Sequence, residues 1–163
     1  NGDPLRFSLP RPMVGKEGCD LSFSGLKTAV RHIIEGFSDD NDIGTAVLTQ
    51  QDKADIAACF QKAVLDSVCS RLKNGIKMFK KICPEGKHLV VAGGVAANKA
   101  LREALKELAE KKNMIFEAPP LNLCTDNGAM VAWAGMERFL AGANDPLDFS
   151  PRPRWPLDPS SKR

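Results

Sequence analysis

Two short stretches of this chain combine small residues with side chains able to hold an anion, a nucleoside or a metal. In Val90-Val91-Ala92-Gly93-Gly94-Val95-Ala96-Ala97-Asn98, paired glycines let backbone approach a ligand, and the helix that follows offers amide N–H groups at its start. In Leu123-Cys124-Thr125-Asp126-Asn127-Gly128-Ala129-Met130, a carboxylate stands where another helix is expected to open. Each stretch also has a plainer reading. Glycines serve tight strand-to-helix turns by geometry alone, and Asn98 and Asp126 are favoured N-cap residues. Neither stretch is a generic nucleotide motif, because Gly93-Gly94 is not G-x-G-x-x-G and the chain holds no G-x-x-x-x-G-K-[ST].

Other chemistries find less support. Lys27 follows Leu26 rather than glycine, so residues 24–28 are not a phosphate loop and read as core-edge packing, with active-site lining the alternative. Cys124 has no histidine near it in sequence to act as a base, which argues against a nucleophilic role. The five cysteines are odd in number and lack C-x-x-C spacing, so neither a disulfide framework nor a zinc ribbon is expected. Cys59 and Cys69 fall in a helical pattern and are expected to be buried as small apolar residues. There is no H-E-x-x-H helix and no G-x-S-x-G elbow.

Several elements must position the two stretches. Ser22 or Ser24 is expected to cap a short helix that carries Ala29, Val30, Ile33 and Ile34 and ends near Gly36, and a polar loop over residues 37–48 follows it. Thr49 and Asp52 form a capping signature. Behind it Ile56, Phe60, Val64, Val68, Leu72, Ile76 and Phe79 recur at helical spacing, predicting one long helix to about Lys81 with this stripe in the core. Residues 88–92 read as a buried strand, Asn98 to about Lys111 as a helix presenting Leu101, Ala104, Leu105 and Leu108, and residues 114–117 as a second strand. Asp126 is expected to open a last helix bearing Met130, Val131, Ala134 and Phe139. Strands alternating with helices predict an α/β fold with a parallel sheet. Two strands make a small sheet, so the fold is expected to be incomplete, and the Pro-containing start at Asn1 reads as the start of a cut piece.

Composition sets the class. At 43% hydrophobic and 26% charged, the 163 residues hold enough apolar surface for a core. The net charge of +3 is wholly that of residues 150–163, where Arg152, Arg154, Lys162 and Arg163 face only Asp158. Charge therefore gives no ground for a nucleic-acid partner. No run reaches the ~18 apolar residues of a membrane span and no secretory signal pattern opens the chain, so a cytoplasmic protein without membrane contact is expected. Residues 1–149 read as one domain. Residues 150–163 read as a Pro-rich basic tail, held extended with Trp155 and Leu157 docked and its arginines outward, phosphate contact to tRNA by Arg152 and Arg154 being the alternative.

Five blocks occur in order: Phe7-Ser8-Leu9-Pro10-Arg11-Pro12-Met13, Ser22-Phe23-Ser24-Gly25-Leu26-Lys27-Thr28, Ala92-Gly93-Gly94-Val95-Ala96-Ala97-Asn98, Cys124-Thr125-Asp126-Asn127-Gly128-Ala129-Met130 and Arg152-Pro153-Arg154-Trp155-Pro156-Leu157. Together they resemble the C-terminal part of the bacterial family that forms threonylcarbamoyladenosine in tRNA. The resemblance implies the C-terminal lobe of an α/β fold shared by actin, sugar kinases and heat-shock chaperones, incomplete without its N-terminal lobe. It implies transfer of a threonylcarbamoyl group from threonylcarbamoyl-AMP to N6 of the tRNA adenosine beside the anticodon, with accessory subunits as partners.

By the same resemblance Gly93, Gly94 and Asn98 contact the adenosine part of the substrate, and Asp126 joins two histidines on a divalent metal, iron or else zinc. Those histidines belong to an H-x-x-x-H helix in the family. This chain has only His32 and His88, and neither matches, so the chain by itself is expected to hold metal poorly and to be inactive. An older naming of the family gives a metal-dependent glycoprotein endopeptidase as the alternative. A partner-binding module, using the long helix as its surface, is the non-enzymatic one.

Overall fold

A computed structural model of the chain describes residues 2–37, 47–125 and 127–150, so Asp126, residues 38–46 of the expected polar loop and residues 151–163 of the expected tail lie outside the described residues. The described chain falls into two compact units, divided after Thr125. The first unit holds α1 (Leu26–Glu35), α2 (Gln50–Ile82), β1 (His88–Val90), α3 (Lys99–Lys111) and β2 (Ile115–Glu117), and the second holds α4 (Gly128–Leu140).

The 33-residue α2 starts where its capping signature predicts. Thr49 Oγ1 accepts from the Asp52 N–H at 3.1 Å while Asp52 returns a bond to the Thr49 N–H at 2.9 Å. At 1.5 Å per residue the helix is about 50 Å long, and it organises the first unit. Its buried line differs from the expected apolar stripe. Asp52, Asp55, Ile56, Cys59, Ala63, Ser67, Arg71 and Ile76 are buried, whereas Phe60 and Phe79 are exposed.

The reason is the segment before α1, which lies along α2 and bonds to it through backbone groups and through the side chains of Arg6 and Arg11. Asp55 accepts from the Asp3 N–H at 2.7 Å and from Arg6 at 2.7 Å, the Phe7 N–H meets Cys59 Sγ at 3.3 Å, and Arg11 reaches Asp66 at 3.2 Å. Further along, the Arg71 guanidinium bonds the carbonyls of Met13, Lys16, Glu17, Gly18 and Asp20. A strap held by main-chain groups needs small and polar partners on the helix, so the larger apolar residues turn elsewhere. Leu9, Leu26, Cys59 and Ala63 form the core beneath the strap, with Phe7, Val30, Ile33 and Val64 packed on it. Cys59 is buried as expected and Cys69 is half-buried.

At the start of α1 neither serine caps the helix. Gly25 occupies the N-cap position in left-handed geometry (φ 81°), which glycine adopts without strain, and Ser22 Oγ instead accepts from the Ser24 N–H. Leu26 does the packing and Lys27 is exposed.

The two strands pair in parallel, with His88 opposite Ile115, Leu89 opposite Phe116 and Val90 opposite Glu117, and α3 connects them as the expected crossover. Leu89 and Phe116 pack against Ile76, Leu108, Ala109 and Met114, which join α2, α3 and the sheet. The other face carries His88, Val90, Ile115 and Glu117, and Val90 is 64% exposed. Residues 88–92 are therefore not the buried strand their apolar run predicts, because only one face of the sheet is covered by described residues. In the second unit α4 is capped by Asn127, whose Oδ1 accepts from the Met130 N–H at 2.8 Å, rather than by Asp126. Its apolar residues Met130, Val131, Trp133, Met136, Phe139 and Leu140 are all exposed. No helix among the described residues is long and apolar enough to cross a membrane.

Candidate functional site

The carboxyl ends of parallel strands are where open α/β sheets hold ligands, and Gly93, Gly94 and Asn98 lie beyond the end of β1. After β1 the chain turns at Gly93 (φ 87°, ψ 176°), a conformation essentially restricted to glycine, and enters a single 3-10 turn over Gly94–Ala97. A Cβ added at Gly93 or Gly94 meets nothing within 4 Å, so both backbones are open to an approaching group. The 3-10 turn was not foreseen. It uses the Ala96 N–H on Gly93 O (3.0 Å) and the Asn98 N–H on Val95 O (3.1 Å), so fewer free amides follow the glycines than a direct entry into α3 would leave.

Asn98 is the N-cap of α3, its Oδ1 accepting from the Leu101 N–H at 3.0 Å. The same residue lines a cavity of about 440 Å³ between α1, α2 and this turn. Val30 and Ile34 form one wall of the cavity, Ile56, Phe60 and Val64 another, and Val95, Asn98 and Leu101 a third, with Lys53 and Gln61 at its polar positions. An apolar hollow of that size with a few polar groups suits part of a small organic ligand. Phe60 and Val64, which the strap leaves off the buried line of α2, supply much of its apolar lining. The structure thus brings Asn98 to a cavity, while Gly93 and Gly94 lie at the adjoining turn without lining it.

Arg102, which sequence reasoning overlooked, ties the two strand-end loops together. Its Nε donates to Ala96 O within the turn, and its Nη2 donates to Pro119 O at 2.5 Å and contacts Cys124 Sγ at 2.9 Å. Cys124 is 3% exposed, so its thiol is a packed group held by an arginine rather than an accessible nucleophile. A sequence signal existed: Arg102 stands one helical turn after the cap Asn98, on the side of α3 facing back toward the turn.

Among the described residues no three of His, Cys, Asp and Glu come together. His88 Nδ1 faces Glu117 Oε1 at 3.1 Å at the start of β1, His32 is exposed on α1, and Asp126 lies outside the described residues.

Elsewhere the perturbed carboxylates belong to the strap. The Arg6 guanidinium and then the Asp3 N–H hold the Asp55 carboxyl below its usual range. The Thr49 hydroxyl and backbone N–H, followed by Arg6, do the same for Asp52. These groups fasten the fold rather than serve as acid or base.

Comparison with known proteins agrees with the family resemblance. Residues 1–133 match the family described as tRNA N6-adenosine threonylcarbamoyltransferase. A relative of that name in Paramagnetospirillum magneticum is 52% identical over 162 residues, covering 99% of this chain and 45% of its own length. Those in Rhodospirillum rubrum and Brucella ovis are 52% and 51% identical, over 99% and 98% of this chain and 43% of their own lengths. The chain spans a little under half the length of these curated relatives. With the match extending over most of its residues, this chain belongs to the tRNA N6-adenosine threonylcarbamoyltransferase family.

Proposed function

We propose that these residues form the C-terminal lobe of an enzyme that transfers a threonylcarbamoyl group from threonylcarbamoyl-AMP to N6 of a tRNA adenosine beside the anticodon. The lobe is of the actin, sugar-kinase and heat-shock-chaperone type, and an N-terminal lobe completes the cleft. The observation that carries this reading is the place of Asn98, which stands at the glycine turn beyond β1 and also lines the cavity. There Asn98 contacts the adenosine part of the substrate, while Gly93 and Gly94 let the backbone approach it.

Asp126 supplies one carboxylate to a divalent metal, iron or else zinc, whose other donors this chain does not hold. By itself the chain is inactive as a transferase and holds metal poorly. The relatives carry the transferase name, and no observation on this chain favours the endopeptidase alternative. Accessory subunits of the tRNA-modifying assembly, working in the cytoplasm, complete the reading.

Asn98 gives the sharpest test, since capping and ligand contact respond differently to substitution. The chain is joined to the remainder of the P. magneticum relative, which on this reading is its N-terminal segment. In that joined enzyme Asn98→Asp retains a good cap and so keeps thermal stability, but it places a carboxylate in the cavity. Substrate affinity is expected to fall by roughly tenfold or more with stability unchanged. Unchanged affinity in a stable variant leaves Asn98 as a cap alone and removes the support for this reading.

A further inference from the structure

We infer that Arg102 is a positioning residue for the substrate site, holding the Gly93–Asn98 turn in its binding geometry by fastening it to the loop beyond β2. The inference rests on the site reading above. Arg102 is half-buried in the first turn of α3, and its bonds go to two backbone carbonyls and a thiol rather than to a carboxylate. Its planar fork instead meets acceptors from both strand-end loops: Ala96 O six residues before it, Pro119 O seventeen after and Cys124 Sγ twenty-two after. Ala96 and Cys124 are themselves buried, so the bonds join two fixed points rather than two loose surfaces. A cation bonded to neutral acceptors in a partly dry setting makes stronger bonds than a neutral donor would.

The geometry has a consequence for binding. The turn's own bonds, Ala96 N–H to Gly93 O and Asn98 N–H to Val95 O, are short-range and leave its direction relative to β2 unfixed. Arg102 supplies that direction. Because Asn98 closes the turn and lines the cavity, a shift of the turn moves the Asn98 side chain without breaking its cap. Lysine cannot reproduce the arrangement, since one ammonium has no planar fork with which to reach acceptors on both loops in fixed directions.

The test uses the joined enzyme with Arg102→Met, which keeps the apolar stem and removes every donor, and Arg102→Lys, which keeps the charge. A positioning role predicts a KM for threonylcarbamoyl-AMP raised roughly tenfold or more in Arg102→Met, kcat within about threefold, and an intermediate KM in Arg102→Lys. The folded fraction is measured beside it by circular dichroism. If kcat falls in step with the folded fraction while KM is unchanged, Arg102 only stabilises the fold and the inference is overturned; wild-type kinetics in both variants overturn it as well. If the joined enzyme carrying Arg102 does not modify tRNA at all, the functional reading itself fails and this inference falls with it, a result distinct from either of the others.

Discussion

Arg71→Met should open the strap without unfolding α2. The Arg71 guanidinium is 1% exposed and bonds five carbonyls of the loop that runs from Met13 to Asp20: Asp20 O at 3.0 Å, Met13 O at 2.7 Å, Lys16 O at 2.6 Å and Glu17 O at 2.8 Å, together with Gly18 O. No carboxylate shares the site among these bonds, so carbonyl dipoles alone compensate the charge. Each hydrogen bond to a charged group contributes about 1.5–3 kcal/mol when its partner is left unsatisfied. The five do not add, because most of the loop lies at the surface and its carbonyls regain water once released. The net loss is therefore set nearer that of one or two such bonds, about 2–4 kcal/mol. Arg71→Lys, with three donors, should fall between. Urea unfolding gives the stability, and limited tryptic cleavage at Lys16 reports on the loop. A midpoint equivalent to less than about 1 kcal/mol of change in Arg71→Met, with Lys16 still protected, would refute the reasoning.

Two further outcomes follow from the same geometry. Gly93→Ala should cost about 1–3 kcal/mol because φ is 87° at that position, while Gly94→Ala, with open space around the added methyl, should cost less than about 1 kcal/mol; calorimetric melting of the two variants checks the contrast. Asp52 and Asp55 are held below the usual carboxylate range, so their contribution is fully present above the unfolded value of about 3.9 and is lost as pH falls through the lower folded values. Arg6 helps depress both, so the drop in urea midpoint between about pH 7 and about pH 3 should be larger in the wild type than in Arg6→Met. Equal drops would show that Arg6 has no part in it.

What could be read from sequence was mostly local. The Thr49–Asp52 capping box, the Asn98 cap and the parallel pair joined by α3 follow from short-range rules, and all three are found. The buried side of α2 was not legible, because the strap bonds to Asp55 and Arg71, and these with Ser67 are buried although hydropathy assigns such residues to the surface. The caps of α1 and α4 were misplaced, at Gly25 instead of Ser22 or Ser24 and at Asn127 instead of Asp126. Neighbouring residues of similar capping ability differ in backbone conformation, which composition does not encode. For the site, Asn98 was legible as a cap, and its contact with substrate is the proposal that Asn98→Asp tests. Its cavity was not legible, since that depends on Val30, Phe60 and Val64 meeting across α1 and α2.

The central claim is that this chain is one half of a transferase site and works only when the other half is supplied. The direct measurement is threonylcarbamoylation of tRNA lacking the modification, assayed with threonylcarbamoyl-AMP, the accessory subunits and either the chain alone or the chain joined to the relative's N-terminal segment. The account predicts no product from the chain alone and modified adenosine from the joined enzyme. Modification by the chain alone, or none by a folded joined enzyme, would contradict it.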